Sequence, residues 1–344
     1  MSGQLHHAGL LVLGMHRSGT SAVTGVLHHL GAALGDRLIP ADPGVNPKGY
    51  WEHAVINQCH ETLLRRLGSA WYDALPLTPG WQDDDAVGPQ VQALAAAIDA
   101  SFGQLPFWAV KDPRLCRMLP LWKSLLERRG WDAKCLLMLR HPMEVAQSLA
   151  TRDGIERHHA LLLWMRYVLD SEQASRGLPR AVLTYEQLLA DWRSAMQRLN
   201  EALGLGMDWQ DPQVTAQVED FLDAHLRHHQ AGSERRPEDV AENLATRIYL
   251  AACRADSASL DALRCEFDAL VLAHTPWLNQ VNRLMQTVQE QRAGLEQAEA
   301  AQVAAMNKIA SLEHEVARVK ASLSWQVTKP LRGVQGLFRR VQPK

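Results

Sequence analysis

Four short apolar runs, each closed by polar or charged residues, constrain the fold of this chain most. Leu10–Leu13 ends in a glycine-bounded loop and leads into helical spacing over Ser21–Leu34. Phe107–Val110 stops at Lys111-Asp112-Pro113, where proline blocks further sheet pairing. Lys134–Leu139 ends at Arg140-His141-Pro142, with helical spacing from Met143, and Arg180–Leu183 ends at Thr184-Tyr185-Glu186 before another helix. Short apolar strands alternating with helices predict an α/β fold, a parallel sheet with helices on both faces. Ligands of such sheets sit beyond the carboxyl ends of the strands. The polar residues that close the four runs therefore mark where a site is expected.

A chain of 344 residues holds one large domain or two smaller ones. Its 36 basic and 38 acidic residues nearly balance, so no global field points to nucleic acid, and any anion site must be local. The five cysteines are widely spaced with no CxxC pair. They suggest neither a zinc site nor a disulfide framework and read as incidental thiols of a reducing compartment. The start lacks a charged n-region, and its apolar run, Gly9–Leu13, is too short for a signal-peptide core or a spanning helix. A cytoplasmic protein is expected.

The stretch from about Asp211 to Trp277 reads as helical without a signature. From Val281 apolar or small residues recur at spacings of three and four through Leu284, Val288, Leu295, Ile309, Leu312 and Val316 to Leu323. This is a coiled-coil seam, weakened in its middle by Gln291, Gln302 and several alanines, with a long solvated single helix as the alternative. The expected organisation is thus a domain over 1–278, a coiled-coil helix over 279–325 and a tail over 326–344. The seam predicts homo-oligomerisation. In the tail, Lys329, Arg332, Arg339, Arg340 and Lys344 interleave with Leu331, Val334, Leu337 and Phe338 without an acid. Such a segment suits an anionic membrane surface or a partner, and a solvated end explains it equally.

The loop Gly14-Met15-His16-Arg17-Ser18-Gly19-Thr20-Ser21 follows a strand and opens a helix. Its glycines let backbone wrap closely around an anion, and the helix N-terminus supplies free N–H groups. The spacing matches the start of a Walker A loop, but Thr20 stands where that motif requires the lysine that nucleoside triphosphatases place on β- and γ-phosphates. A cation, Arg17, lies inside the loop instead, and its fork suits one compact tetrahedral anion.

This loop resembles the phosphosulfate loop of the sulfotransferase superfamily, with Arg17, Ser18, Gly19, Thr20 and Ser21 in pattern and His16 in place of the usual proline. The resemblance implies a P-loop-like fold, the donor 3'-phosphoadenylyl sulfate (PAPS) with PAP as its product, no required metal, and phosphosulfate held by residues 14–21. The superfamily's second signature is an arginine at a strand end and a serine eight residues on, together holding the 3'-phosphate; Arg140 and Ser148 match it. On geometry alone, Ser148 lies two turns into the helix after Arg140, near enough for both to face one phosphate. Thr184-Tyr185-Glu186-Gln187-Leu188 is similar to a third segment, which implies Tyr185 near the nucleotide. The match covers about residues 8–205.

Sulfuryl transfer needs an acceptor hydroxyl in line with sulfur, a base for its proton, and a cation on the developing bridge charge. Small-molecule members of the superfamily place a histidine base in a Lys-Thr-His segment; here Lys111-Asp112-Pro113 puts proline at the histidine's place. Lys111 remains available for the bridging oxygen. Glycan and protein members tend to use a glutamate after the first helix, which implies Glu52 as the base, with Asp112 and His53 as alternatives. Tyr50 and Trp51 beside it offer stacking faces for sugars. Lys48, Arg114 and Arg152 are further candidates for the same cleft. The pairs His28-His29, His158-His159 and His228-His229 lack ligand spacing and read as surface or packing residues.

The leading expectation is a PAPS-dependent O-sulfotransferase acting on a glycan. A P-loop small-molecule kinase and a non-catalytic coiled-coil interaction protein are the alternatives. Ser322–Arg332 resembles the ends of bacterial surface-polysaccharide glycosyltransferases. That implies a surface or lipid-linked glycan acceptor and a protein peripheral to the inner membrane.

Overall fold

The computed structural model describes residues 8–41, 48–207, 210–222 and 239–328. Four strands, β1 (Ala8–Leu13), β2 (Phe107–Lys111), β3 (Asp132–Leu139) and β4 (Arg180–Thr184), form one parallel sheet in the order β2-β1-β3-β4. All four apolar runs are therefore strands, extended by one or two residues at their ends. Leu10 and Val12 of β1, Leu136 and Met138 of β3 and Leu183 of β4 share one packed core with α1 (Thr20–His29) and α8 (Trp192–Leu203). Leu11, Leu13, Cys135 and Leu137 alternate onto the other face and are equally buried. That face is covered by α4 (Leu115–Glu127) and α6 (Arg157–Ala174). Burial on both faces explains why the strands are apolar without alternation, and each such leucine contributes about 1.5–3 kcal/mol.

The remaining elements of this part are α2 (Ala54–Arg66), α3 (Gly88–Phe102), α5 (Pro142–Asp153), the short α7 (Tyr185–Ala190), α9 (Pro212–Phe221) and α10 (Val240–Cys253). Chain order puts β2 on one side of β1 and β3 on the other. The strand order thus reverses at the β1/β3 crevice, at the carboxyl ends of both strands.

Helix α1 ends at His29, not at Leu34 as its apolar spacing predicts. Gly31, at φ 96°, turns the chain back, and Ala33 bridges to Trp108 while its carbonyl accepts from Ala109 N at 2.9 Å. Leu30 caps the helix end, and Ala32 and Leu34 are buried on either side of the Ala33 bridge to β2, so Leu27, Leu30 and Leu34 imitate helical spacing in the sequence.

The chain divides into two units, Met1–Asn279 and Gln280–Lys344. The 65-residue helix α11 (Ser257–Ala321) starts in the first and supplies most of the second. It is followed by α12 (Leu323–Val327), where the Ser322 hydroxyl accepts from Trp325 N. The basic residues 329–344 and the pair His228-His229 lie outside the described residues. No described helix is long and apolar enough to cross a membrane.

Candidate active site

The loop between β1 and α1 is built on two glycines. Gly14 has φ 149°, and a Cβ there would meet Met138 O at 2.6 Å. Gly19 has φ 86°, and a Cβ there would lie 2.4 Å from Cδ2 of Tyr185, so the tyrosine ring packs flat against the loop. Gly14 N donates to Cys116 Sγ at 3.1 Å, and Ser18 N to Met15 O at 3.1 Å. Helix α1 has no side-chain N-cap, so the first-turn amides of Thr20 and Ser21 point out of the helix end without one. The Ser18 hydroxyl is buried and has no hydrogen-bond partner among the described residues. Buried polar groups are ordinarily paired, and an orphan at a helix start fits an anion.

Arg17 sits in the left-handed region at φ 68°, which costs about 1–2 kcal/mol for a residue with a Cβ. Its Nε donates to Ser148 Oγ at 2.8 Å, a contact across 131 residues of sequence. Arg140, at the end of β3, donates from Nη1 to Arg17 O at 3.2 Å and from Nε to Glu144 Oε2 at 2.8 Å. Its guanidinium lies 4.9 Å above the Tyr185 ring. The β1/β3 crevice thus brings Arg17, Arg140, Ser148 and Tyr185 together. Burial, followed by the charges of Arg152 and Arg140, pushes the Arg17 guanidinium below its ordinary pKa. Arg17, Arg140 and Arg152 thus crowd together, with Glu144 beside Arg140 and Asp153 beside Arg152.

The His16 ring lies 4.7 Å from that of Trp71. Burial, then Arg114 and Arg152, hold it well below the usual imidazole range, so it is neutral. Its Nε2 is buried and unpartnered.

A second cluster adjoins the loop. Lys111, at the end of β2 and 2% exposed, donates to Glu52 Oε1 at 2.6 Å and to Ser21 Oγ at 3.2 Å. Glu52 is itself 7% exposed and accepts from Asn57 Nδ2 at 2.8 Å, and Arg114 Nη1 lies 3.9 Å from its Oε2. Backbone bonds from Ile39 N to Glu52 O and from Ala54 N to Arg37 O fix the segment, and Trp51 before it is left-handed at φ 57°. The carboxylate therefore reaches the loop after β1 through one ammonium.

Asp112 is placed differently. Its Oδ1 accepts from Arg114 N and Nη1, both at 2.9 Å, and its Oδ2 lies 3.0 Å from His60 Nδ1. Trp122 Nε1 donates to His60 Nε2 at 2.8 Å, which makes Nδ1 the protonated nitrogen and Asp112 its acceptor. Burial alone raises the Asp112 pKa, but Arg114 and His60 outweigh it and hold the carboxyl well below its usual range. Both oxygens are thus engaged, Oδ1 by Arg114 and Oδ2 by His60. His53 caps α2, its Nδ1 3.5 Å from Ile56 N and its Nε2 3.0 Å from Ser101 Oγ.

Of the other sequence candidates, Arg114 and Arg152 flank the cluster, whereas Lys48 donates to the carbonyls of Asp220 and Phe221 at the end of α9. The Trp51 ring is half-buried and packs against His28 and Phe221. His28, His29, His158 and His159 make packing and backbone contacts. Sequence reading misses Asn57, His60, Trp71 and Cys116. Asn57 and His60 carry the only signal, lying one and two turns beyond Glu52 on α2.

A glycine-bounded loop that carries Arg17 and has Thr20 at the Walker lysine position, at the switch point of a parallel sheet, defines a P-loop-like fold. The sequence matches the Sulfotransferase family over residues 9–211, more than half of the chain, and the protein belongs to that family. Among solved structures it is similar to the sulfotransferase domain of the Synechococcus PCC 7002 olefin synthase, with 17% identity, 73% of this chain and 97% of that one covered, and a TM-score of 0.43. It is also similar to the sulfotransferase STF1 of Mycobacterium tuberculosis H37Rv, with 12% identity, 62% and 71% coverage and a TM-score of 0.36. The sulfotransferase domain of the curacin biosynthetic pathway shares 15% identity over 70% of this chain and 96% of that one, with a TM-score of 0.39. No curated protein matches the sequence.

Proposed function

We propose that this sulfotransferase uses PAPS as its donor and a hydroxyl of a surface or lipid-linked glycan as its acceptor. The observation that carries the donor assignment is the Arg17–Ser148 contact, which joins the loop after β1 to the helix after β3. The orphan Ser18 hydroxyl, the uncapped start of α1 and the Arg17/Arg140/Arg152 crowding suit a nucleotide anionic at both ends. The backbone of Gly14 to Ser21, with the hydroxyls of Ser18, Thr20 and Ser21, would hold the phosphosulfate. Arg140 and Ser148 would hold the 3'-phosphate, with Tyr185 packed between them and Gly19. His16 would wall the loop from Trp71.

When bound, the donor supplies an activated sulfuryl group with a good leaving phosphate. The chain's own residues do the rest. Glu52 accepts the proton of the acceptor hydroxyl as the oxygen–sulfur bond forms and the bridging sulfur–oxygen bond breaks. Lys111 stabilises the charge that develops on the bridging oxygen. Because Lys111 also bonds Ser21, it connects the base to the donor loop. Asp112 keeps Arg114 oriented beside Glu52. A kinase reading is disfavoured by Thr20 at the Walker lysine position.

The glycan acceptor is supported by the likeness of Ser322–Arg332 to polysaccharide glycosyltransferase ends, and the basic tail suits work at the inner face of a membrane. The test is incubation with sulfur-35-labelled PAPS and lipid-linked or polymeric glycans. Labelled glycan with stoichiometric PAP is expected; PAP release only with small-molecule or lipid hydroxyls, or no transfer at all, would overturn the acceptor or the activity respectively.

A further inference from the structure

The unit from Gln280 onward carries an apolar face that no described residue covers. Leu284, Leu295 and Ile309 are 60%, 61% and 56% exposed. The heptad register runs without a skip from Val281 to Val319, with Gln291, Ala298, Gln302 and Ala305 at seam positions in its middle. Its a positions are Val281, Val288, Leu295, Gln302, Ile309 and Val316, and its d positions Leu284, Gln291, Ala298, Ala305, Leu312 and Val319. All lie on the continuous helix α11.

We propose that this face is covered by a second copy of the same chain, in a parallel, in-register, two-stranded coiled coil. The flanking charges select that occupant and that direction. In a parallel pair each g residue faces the e residue five positions on in the partner. Lys308 then meets Glu313 and Glu315 meets Lys320, opposite signs both times, and each pair occurs twice by symmetry. In an antiparallel pair overlapping over the same residues, Lys308 and Glu315 face the uncharged Gly294 and Thr287 instead. β-Branched residues at four of the six a positions favour two parallel strands. The polar a residue Gln302 is best matched by its own copy, which fixes the register. Pairing of this kind brings two sulfotransferase domains to the same, residue-280, end of one coil.

The test is made on the full chain and does not depend on sulfate transfer. Light scattering after gel filtration should give twice the 38.4 kDa chain mass at micromolar concentration. Cys253 and Cys265, the exposed thiols among the described residues, are first replaced by serine. Ile309→Cys in that background should then form a reducible covalent dimer, because a-layer residues meet their own copies within the roughly 4.4–6.8 Å a disulfide needs. Lys308→Glu should weaken the dimer about tenfold and Glu313→Lys added to it should restore affinity. A monomeric mass would overturn the proposal and leave the face to a different protein. A dimer with no cross-link at 309, or with affinity indifferent to Lys308→Glu, would overturn the parallel register.

Discussion

Glutamine at position 52 changes one charge and almost no volume, so its consequences follow from the local geometry. Lys111 Nζ lies 2.6 Å from Glu52 Oε1 and is nearly sealed from solvent. Breaking a buried pair outright costs about 3–5 kcal/mol. The amide oxygen of glutamine still accepts from Lys111, which reduces the loss to about 1–3 kcal/mol. At about 2–4 °C per kcal/mol for a domain of this size, the melting temperature should fall by about 2–12 °C. The uncompensated ammonium beside Ser21 adds positive charge to the donor loop, so PAP should bind as tightly as before or more tightly. Turnover, in contrast, should drop by about 10²–10⁴ through loss of the base. Calorimetric titration with PAP, thermal melting and PAP release from PAPS measure the three quantities on one preparation. Turnover within a few-fold of the parent would refute Glu52 as the base. A parallel loss of affinity and turnover would show that Glu52 only supports the loop.

Three further outcomes follow from the same geometry. Arg17→Gly should weaken PAP binding about 100-fold while leaving stability unchanged or raising it by about 1 kcal/mol, because glycine relieves the left-handed backbone; reduced stability on chemical denaturation would contradict this. Gly19→Ala should displace the Tyr185 ring, destabilise the fold by about 1–3 kcal/mol and abolish PAP binding in titrations. Burial holds His16, His53, His141 and His159 below their unfolded values, so between the unfolded value near 6.5 and each folded value the unfolded chain binds more protons. Their contribution is complete above about pH 6.5 and is lost as pH falls through that window, by at most about 1.4 kcal/mol per pH unit for each. Melting temperature should therefore decline from about pH 7.5 to 5.5, and less steeply in His16→Phe; a flat or rising profile would be inconsistent.

The sheet was legible because its strands are buried on both faces and end abruptly, so apolar runs alone mark them. The loop Gly14–Ser21 was legible because glycine spacing and a displaced arginine are local features. The end of α1 was not, since Leu27, Leu30 and Leu34 follow helical spacing while the chain beyond Gly31 packs beside β2. The partition of the carboxylates was also hidden. Glu52 and Asp112 look interchangeable in sequence, and only the convergence of His60, Trp122 and Arg114 shows that both Asp112 oxygens are taken. Trp51 reads as an open face, and its left-handed backbone turns it onto His28 and Phe221 instead.

The central claim is that one nucleotide spans two anion pockets, and a side-by-side calorimetric titration of PAP and adenosine 5'-phosphate tests it most directly. Charge-assisted hydrogen bonds contribute about 1.5–3 kcal/mol each, so the 3'-phosphate contacts of Arg140 and Ser148 should make PAP bind at least about 100-fold more tightly. Equal affinity for the two nucleotides, or tighter binding of magnesium ATP than of PAP, would contradict it.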